Sequence, residues 1–297
     1  MIRRMSSMNP QLLSAASGIA VGVAGTLTLG RILRHRFHHR LDVPSSKSMD
    51  AVPLPDPEWT PGSGSRQKEE CMGTISIKPS ELPPDKSMYP LLISAVTPRP
   101  IAFVSSVSGS GVTNLAPFSF FGLMCHDPPT LAFCTVHRNG QPKDTLSNLR
   151  ETKECVVNMI SEDFVEAANC CCGEYPPEVD EFELSGLTKV PSISLPNFSP
   201  PRVREAKVQM ECRVIELKDL VGRNDKPTAT MIICNIENVH LQSSVHRKTE
   251  RGSDYVDHEA LKPISRLGGN DYGRVGGAFT MARPPSDLAS ERLREIS

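Results

Sequence analysis

The sequence predicts a mainly β domain of the α+β class, an antiparallel barrel, closed or partly closed, with helices attached. Three observations predict it. Between residues 88 and 283, short strand-like runs outnumber helical ones, hairpin-like links recur, and residues 208–214 alternate cleanly between apolar and polar side chains.

IAFVSSV (101–107) leads through the glycine-rich turn SGSG (108–111) into TNLAPFSFF (113–121), which together read as a β-hairpin. Pro117 gives no N–H to a ladder and so argues against a central strand. The run is then either a bulged edge strand or a segment whose backbone groups near Ala116, Phe118 and Ser119 face a ligand, with the phenylalanines making the pocket apolar. TLAFCTV (130–136) is the next strand. KDTLSNLRET (143–152) predicts a helix with Asp144 or Thr145 as N-cap and with Leu146 and Leu149 turned inward. ECVVNMI (154–160) is a strand. SEDFVEAANCCC (161–172) predicts a helix capped by Ser161, with Phe164, Ala167, Ala168 and Cys171 at helical spacing, which makes Cys170, Cys171 and Cys172 small helix-face residues. VQMECRV (208–214) places Val208, Met210, Cys212 and Val214 on one face and Gln209, Glu211 and Arg213 on the other, as in a sheet covered on one side only. ATMIICNIENV (229–239) completes the strands.

The rest of the chain follows other rules. Residues 1–41 hold six arginines and no Asp, Glu or Lys, so the 33 basic residues leave 27 against 34 acidic ones elsewhere. LLSAASGIAVGVAGTLTLG (12–30) is uncharged and about as long as a membrane span. With four arginines after it, it predicts an anchor that keeps the body in the cytosol or the mitochondrial matrix. Gly18 and Gly22 form a small-xxx-small pair. A cleaved mitochondrial presequence or a plain tail are the alternatives. Residues 42–87 read as a Pro/Ser-rich linker holding Trp59, and 284–297 as a tail.

A net charge of −1 gives no global reason to expect nucleic acid. Nine cysteines, an odd number with three adjacent and no C-x-x-C pair, predict free thiols in a reducing compartment. Walker, Rossmann and H-E-x-x-H motifs are missing, and the histidines are scattered, so no metal is expected. What stands out is HRNGQPKDTLSNL (137–149), where an Asn139-Gly140 turn delivers Lys143, Asp144 and Thr145 to the start of a helix. That combination either binds a phosphate or is a plain capped helix with an exposed lysine.

PRPIA (98–102), NLAPFSFF (114–121), DPP (127–129), KDTLSN (143–148) and VDEFELSGLT (179–188) occur in an order that resembles the flavin reductase-like family, in its flavoredoxin branch, from about Tyr89 to Arg274. The resemblance implies an FMN-binding split β-barrel that acts as a homodimer. It implies that Asn114, Ala116, Pro117, Phe118 and Ser119 line the flavin, that Ser105, Ser106, Lys143 and Thr145 serve its phosphate end, and that Asp144 caps the helix or meets a ribityl hydroxyl. It also implies Arg99 as an extra cation near the site, and Arg266 and Tyr272 acting across the dimer interface. Cys125-His126 departs from the small polar residues expected before DPP and would alter the substrate side if it faces the flavin. The implied activity is hydride transfer from NADH or NADPH through FMN to an acceptor, with no side-chain acid or base required. The alternatives are an FMN-binding electron carrier reduced by a partner protein, and a non-catalytic tethered binding module.

Overall fold

The computed structural model describes residues 52–65 and 73–284. The expected anchor at 12–30 and the tail from 285 lie outside them. Among the described residues no helix is long and apolar enough to cross a membrane.

A short helix, α1 (Tyr89–Ala95), precedes the hairpin of β1 (Ala102–Val107) and β2 (Thr113–Phe118). The turn between them is closed by Ser108 N–H donating to the Val112 carbonyl at 2.9 Å. Then come β3 (Phe121–His126), β4 (Pro129–Val136), α2 (Asp144–Thr152), β5 (Glu154–Met159), α3 (Val165–Cys170) and α4 (Glu181–Ser185). A small pair follows, β6 (Lys189–Val190) and β7 (Arg202–Val203), and then the long hairpin of β8 (Val208–Val221) and β9 (Pro227–Leu241). Two small ribbons close the fold: β10 (His246–Lys248) with β11 (Asp254–Val256), and β12 (Ile264–Arg266) with β13 (Tyr272–Arg274), separated by α5 (His258–Leu261).

Seven strands form one antiparallel sheet in the order β2-β1-β5-β8-β9-β4-β3. Its first and last members, β2 and β3, are joined by only Ser119 and Phe120. The sheet must therefore roll until its two ends meet. Across the seam the Phe118 ring of β2 and the Phe133 ring of β4 lie 5.5 Å apart. One bent stretch of chain thus starts on one end of the sheet and finishes on the other, which is a split barrel.

Two cores result. Ala102, Val104, Phe133, Val157, Ile232 and Cys234 fill the barrel, and Leu146 and Leu149 of α2 close it, as their spacing predicts. On the outer face Phe103, Leu115, Phe164, Cys171, Phe182 and Val203 form a second core under α3 and α4. β1 is buried along its whole length because both of its faces are covered.

The one-sided sheet expected at 208–214 is not found. Gln209 and Glu211 are buried, because the segment around β6 and β7 lies over their face. Glu211, with no exposed surface, accepts hydrogen bonds from Ile193 N–H (3.0 Å) and Ser194 N–H (2.6 Å) and meets His240 Nε2 at 2.7 Å. Glu154 holds Asn197 and Phe198 in the same way.

The expected cap of α2 differs, while Ser161 is an N-cap as expected, though of a 3-10 turn and without a side-chain cap hydrogen bond. Lys143 is the N-cap of α2, and it makes no side-chain cap hydrogen bond, so Asp144 and Thr145 are the first helical residues. The run from Ser161 is a 3-10 turn (Glu162–Phe164) followed by α3, whose helix ends at Cys170 and leaves Cys172 beyond it. Trp59 is half-exposed and donates its indole N–H to the Gly64 carbonyl at 2.8 Å.

Candidate functional site

Pro117 does not disturb β2. The register runs unbroken, with Phe103 opposite Pro117 and Val104 opposite Ala116. Leu115 N–H points away from β1 and donates to Glu181 at 2.9 Å. By strand alternation the nitrogen of Pro117 points the same way. The proline therefore deletes only a donor that the ladder never uses, so the run is a regular outer strand rather than a bulged one.

That outward side of β2 faces a cleft of about 500 Å³. Asn114, Ala116 and Pro117 form one wall, and Lys143, Asp144 and Thr145 at the start of α2 form another. The loop carrying Arg138 and Asn139 closes one end, and Cys172, Tyr175 and Glu181 close the other. Six sequence-predicted residues are thus brought together. Beneath them is a buried polar network: Asn114 Nδ2 donates to Thr145 Oγ1 (2.9 Å) and to Ser106 Oγ (3.3 Å), and Asn148 Nδ2 donates to the same Ser106 oxygen (3.1 Å). Ser106 supports the cleft from below rather than lining it.

The other predicted residues lie elsewhere. Ser105 is on the opposite face of β1, fully buried, donating its hydroxyl to the Pro201 carbonyl. Phe118 shares a face with Asn114 and Ala116 but sits deeper, 6% exposed and packed on Phe133 inside the barrel. The expected phenylalanine-lined pocket is therefore not found; the nearest link is Lys143 Nζ, 5.9 Å from the Phe118 ring centre. The Arg99 guanidinium is buried and donates to the backbone carbonyls of Ile93, of Val96 (2.8 Å) and of Leu267 (2.8 Å), with Nε reaching the Ser119 hydroxyl at 3.5 Å. It clamps α1 to the chain after β12. Cys125 and His126 end β3 and line no wall of this cleft.

Ser119, Arg266 and Tyr272 meet at a second, smaller hollow of about 170 Å³. Pro117 and Cys172 wall both hollows, so the two share a ridge. Glu181 and Cys172 were not picked out as site residues. Glu181 lies inside the VDEFELSGLT run, and its role becomes visible only when α4 is folded against the outer strand.

Electrostatically the cleft is mixed. Lys143 brings an exposed cation, and the first-turn N–H groups of α2 lack intrahelical acceptors and so favour an anion. Glu181 opposes them. Burial, with Asp144 and Asp180 close by, raises its carboxyl above the ordinary range. Burial likewise pushes the Cys171 thiol up to about 12 and raises that of Cys172.

Residues 94–257, more than half of the chain, match the model of the flavin reductase like domain. The chain is 40% identical over 200 residues to an uncharacterized protein of Halalkalibacterium halodurans, covering 67% of this chain and 92% of that one. Among solved structures it is similar to nitrilotriacetate monooxygenase component B from Bacillus cereus, at 35% identity and a TM-score of 0.65, covering 70% of this chain and 99% of the other. It is also similar to the 2-nitrobenzoate 2-nitroreductase of Pseudomonas fluorescens, at 28% identity and a TM-score of 0.61, covering 71% and 98%. An antiparallel split barrel whose mouth opens on an anion-seeking helix start defines the class. This chain belongs to the flavin reductase-like family, and fold and family together support flavin-related oxidoreduction.

Proposed function

We propose that the protein is an FMN-dependent oxidoreductase taking hydride from NADH or NADPH, with residues 88–283 as its catalytic body. The observation that carries this reading is the convergence of Lys143, Thr145 and the start of α2 with the outer strand Asn114–Pro117 on one cleft of about 500 Å³, a volume within the usual range for ligand sites. The residues present fit the group. Lys143, the Thr145 hydroxyl and the free N–H groups of α2 would hold its phosphate. Ala116 and Pro117 would border the ring, with the outward carbonyls of β2 offering acceptors along its edge. When bound, the flavin supplies the redox chemistry, accepting hydride from a nicotinamide and passing electrons to an acceptor. The side chains of this chain bind, orient and shield.

The reading extends to a homodimer, as the family resemblance implies, and to a membrane anchor at residues 12–30 that leaves the body in the cytosol or the mitochondrial matrix. The absorbance of the purified full chain, before and after anaerobic NADPH or NADH, tests the core claim. A yellow protein that bleaches supports it. Bound flavin that does not bleach points to an electron carrier, and failure to take up FMN overturns both. Alkaline extraction of a membrane fraction tests the anchor: release of the uncleaved chain overturns it.

A further inference from the structure

We propose that the smaller hollow binds a single-ring aromatic carboxylate, its carboxylate on Arg266 and its ring over the apolar floor. Size comes first. At about 170 Å³, beside the roughly 150 Å³ of an engineered apolar cavity that takes up benzene, the hollow is too small for a flavin or a dinucleotide. It has room for one six-membered ring and its substituents. Its floor is apolar, built from Ile101, Ile160, Val165 and Ala168, which suits a ring face. The polar groups gather at the rim.

Charge then selects the ligand. Arg266 is half-buried, and among the described residues no carboxylate pairs with it. It donates to the Gly269 carbonyl at 2.7 Å and lies 4.5 Å over the Tyr272 ring, a stack that holds the guanidinium in place. The other arginines around these hollows are occupied: Arg138 by Glu174, Arg274 by Glu162, and Arg99 by carbonyls. A planar guanidinium with donors to spare matches a carboxylate two-for-two. Beside it the Tyr272 hydroxyl donates to Asn169 Oδ1 at 2.7 Å, which turns the Asn169 amide so that Nδ2 remains as a further donor. A neutral ring would fill the floor and leave this cation unanswered.

The inference deepens the flavin reading and rests on it for its purpose: because Pro117 and Cys172 wall both hollows, such an acid would lie beside the flavin cleft, where the carboxylate only binds and a reducible substituent on its ring takes the two electrons and the proton that the reduced flavin gives up. The binding site itself stands on Arg266 and the hollow. Benzoate is titrated calorimetrically into flavin-free full-length protein, with benzamide as the neutral isostere and nicotinamide mononucleotide as a competitor. Benzoate is expected to bind about tenfold or more tightly than benzamide, and Arg266→Gln to abolish that preference. Because Arg266→Gln also alters β12, Cys172→Phe serves as a second variant; it fills the hollow from the ridge and is expected to exclude benzoate with Arg266 intact. Equal binding of the two isosteres, benzoate binding unchanged in either variant, or displacement of nothing but nicotinamide mononucleotide overturns the proposal. FMN uptake, followed by visible absorbance on the same preparation, separates the two readings. Protein that takes FMN but not benzoate sinks this inference alone, and the reverse sinks the flavin reading alone.

Discussion

Asn114 Nδ2 donates to Thr145 Oγ1 over 2.9 Å, tying the outer strand of the barrel to the first turn of α2. Both side chains are buried, and this contact sets the distance between the two walls of the cleft. Thr145→Val keeps the shape and deletes the acceptor. It is expected to cost about 1–3 kcal/mol, the penalty for a buried polar group left unmade, and to weaken FMN binding together with stability. Urea unfolding and a flavin-fluorescence titration check the pair of effects.

Lys143 should separate binding from folding. It is exposed, so Lys143→Gln is expected to change stability by no more than about 0.5 kcal/mol. FMN affinity should fall about tenfold, the loss of one charge-assisted contact, while riboflavin, which lacks the phosphate, binds as before. Parallel titrations of FMN and riboflavin decide this, and equal losses for both would place the phosphate elsewhere.

Glu181 gives the fold a pH dependence. Its carboxyl is held above the ordinary range by burial, so the folded chain binds that proton more tightly than the unfolded chain. Its contribution is complete below the ordinary carboxyl value, about 4.3, and is lost as pH rises through the raised value. Glu181→Gln keeps an acceptor for Leu115 N–H and removes the charge. The variant should melt higher than its parent near neutral pH, with the difference closing in acid. Parallel melting curves across pH would remove Glu181 from this role.

Glu211 pins the outer segment. Glu211→Leu strands the N–H groups of Ile193 and Ser194 and takes the carboxylate away from His240 (2.7 Å) and from Arg202 (3.7 Å), whose other donors stay on the Pro191 carbonyl and Gln209, and is expected to cost about 3–5 kcal/mol. Limited proteolysis should then cut within residues 191–200. Resistance equal to the parent would mean that Glu154 alone holds the segment.

The parts legible in the sequence are those with local rules. The hairpin that starts at 101, the strand at 130–136, the helix at 143–152 and the strands at 208–214 and 229–239 follow from alternation, helical spacing and a glycine turn, although the last two run on to Val221 and start from Pro227 as one long hairpin. β3 was invisible because no turn signal separates it from β2; the chain bends across Ser119 and Phe120, and FGLMCH carries no alternation, with Leu123 and Met124 exposed side by side. The face of Glu211 looked solvated because a buried carboxylate and an exposed one are written with the same letter, and what covers it comes from residues 193–203. The cleft was half legible. Lys143, Thr145 and Asn114 announce themselves by motif, whereas Ser105 and Phe118 were placed by neighbourhood, and a side chain's face on a strand is fixed only by its register.

The seam between β2 and β3 has a mechanical meaning. Every other joint in the barrel wall is a ladder of hydrogen bonds that can slip or unzip, but here one covalent chain acts as a rivet between the first and last staves. Cutting the single peptide bond between Ser119 and Phe120 would leave each residue of the sheet with its partner, yet free the wall to uncurl and part the hollows on either side of Pro117.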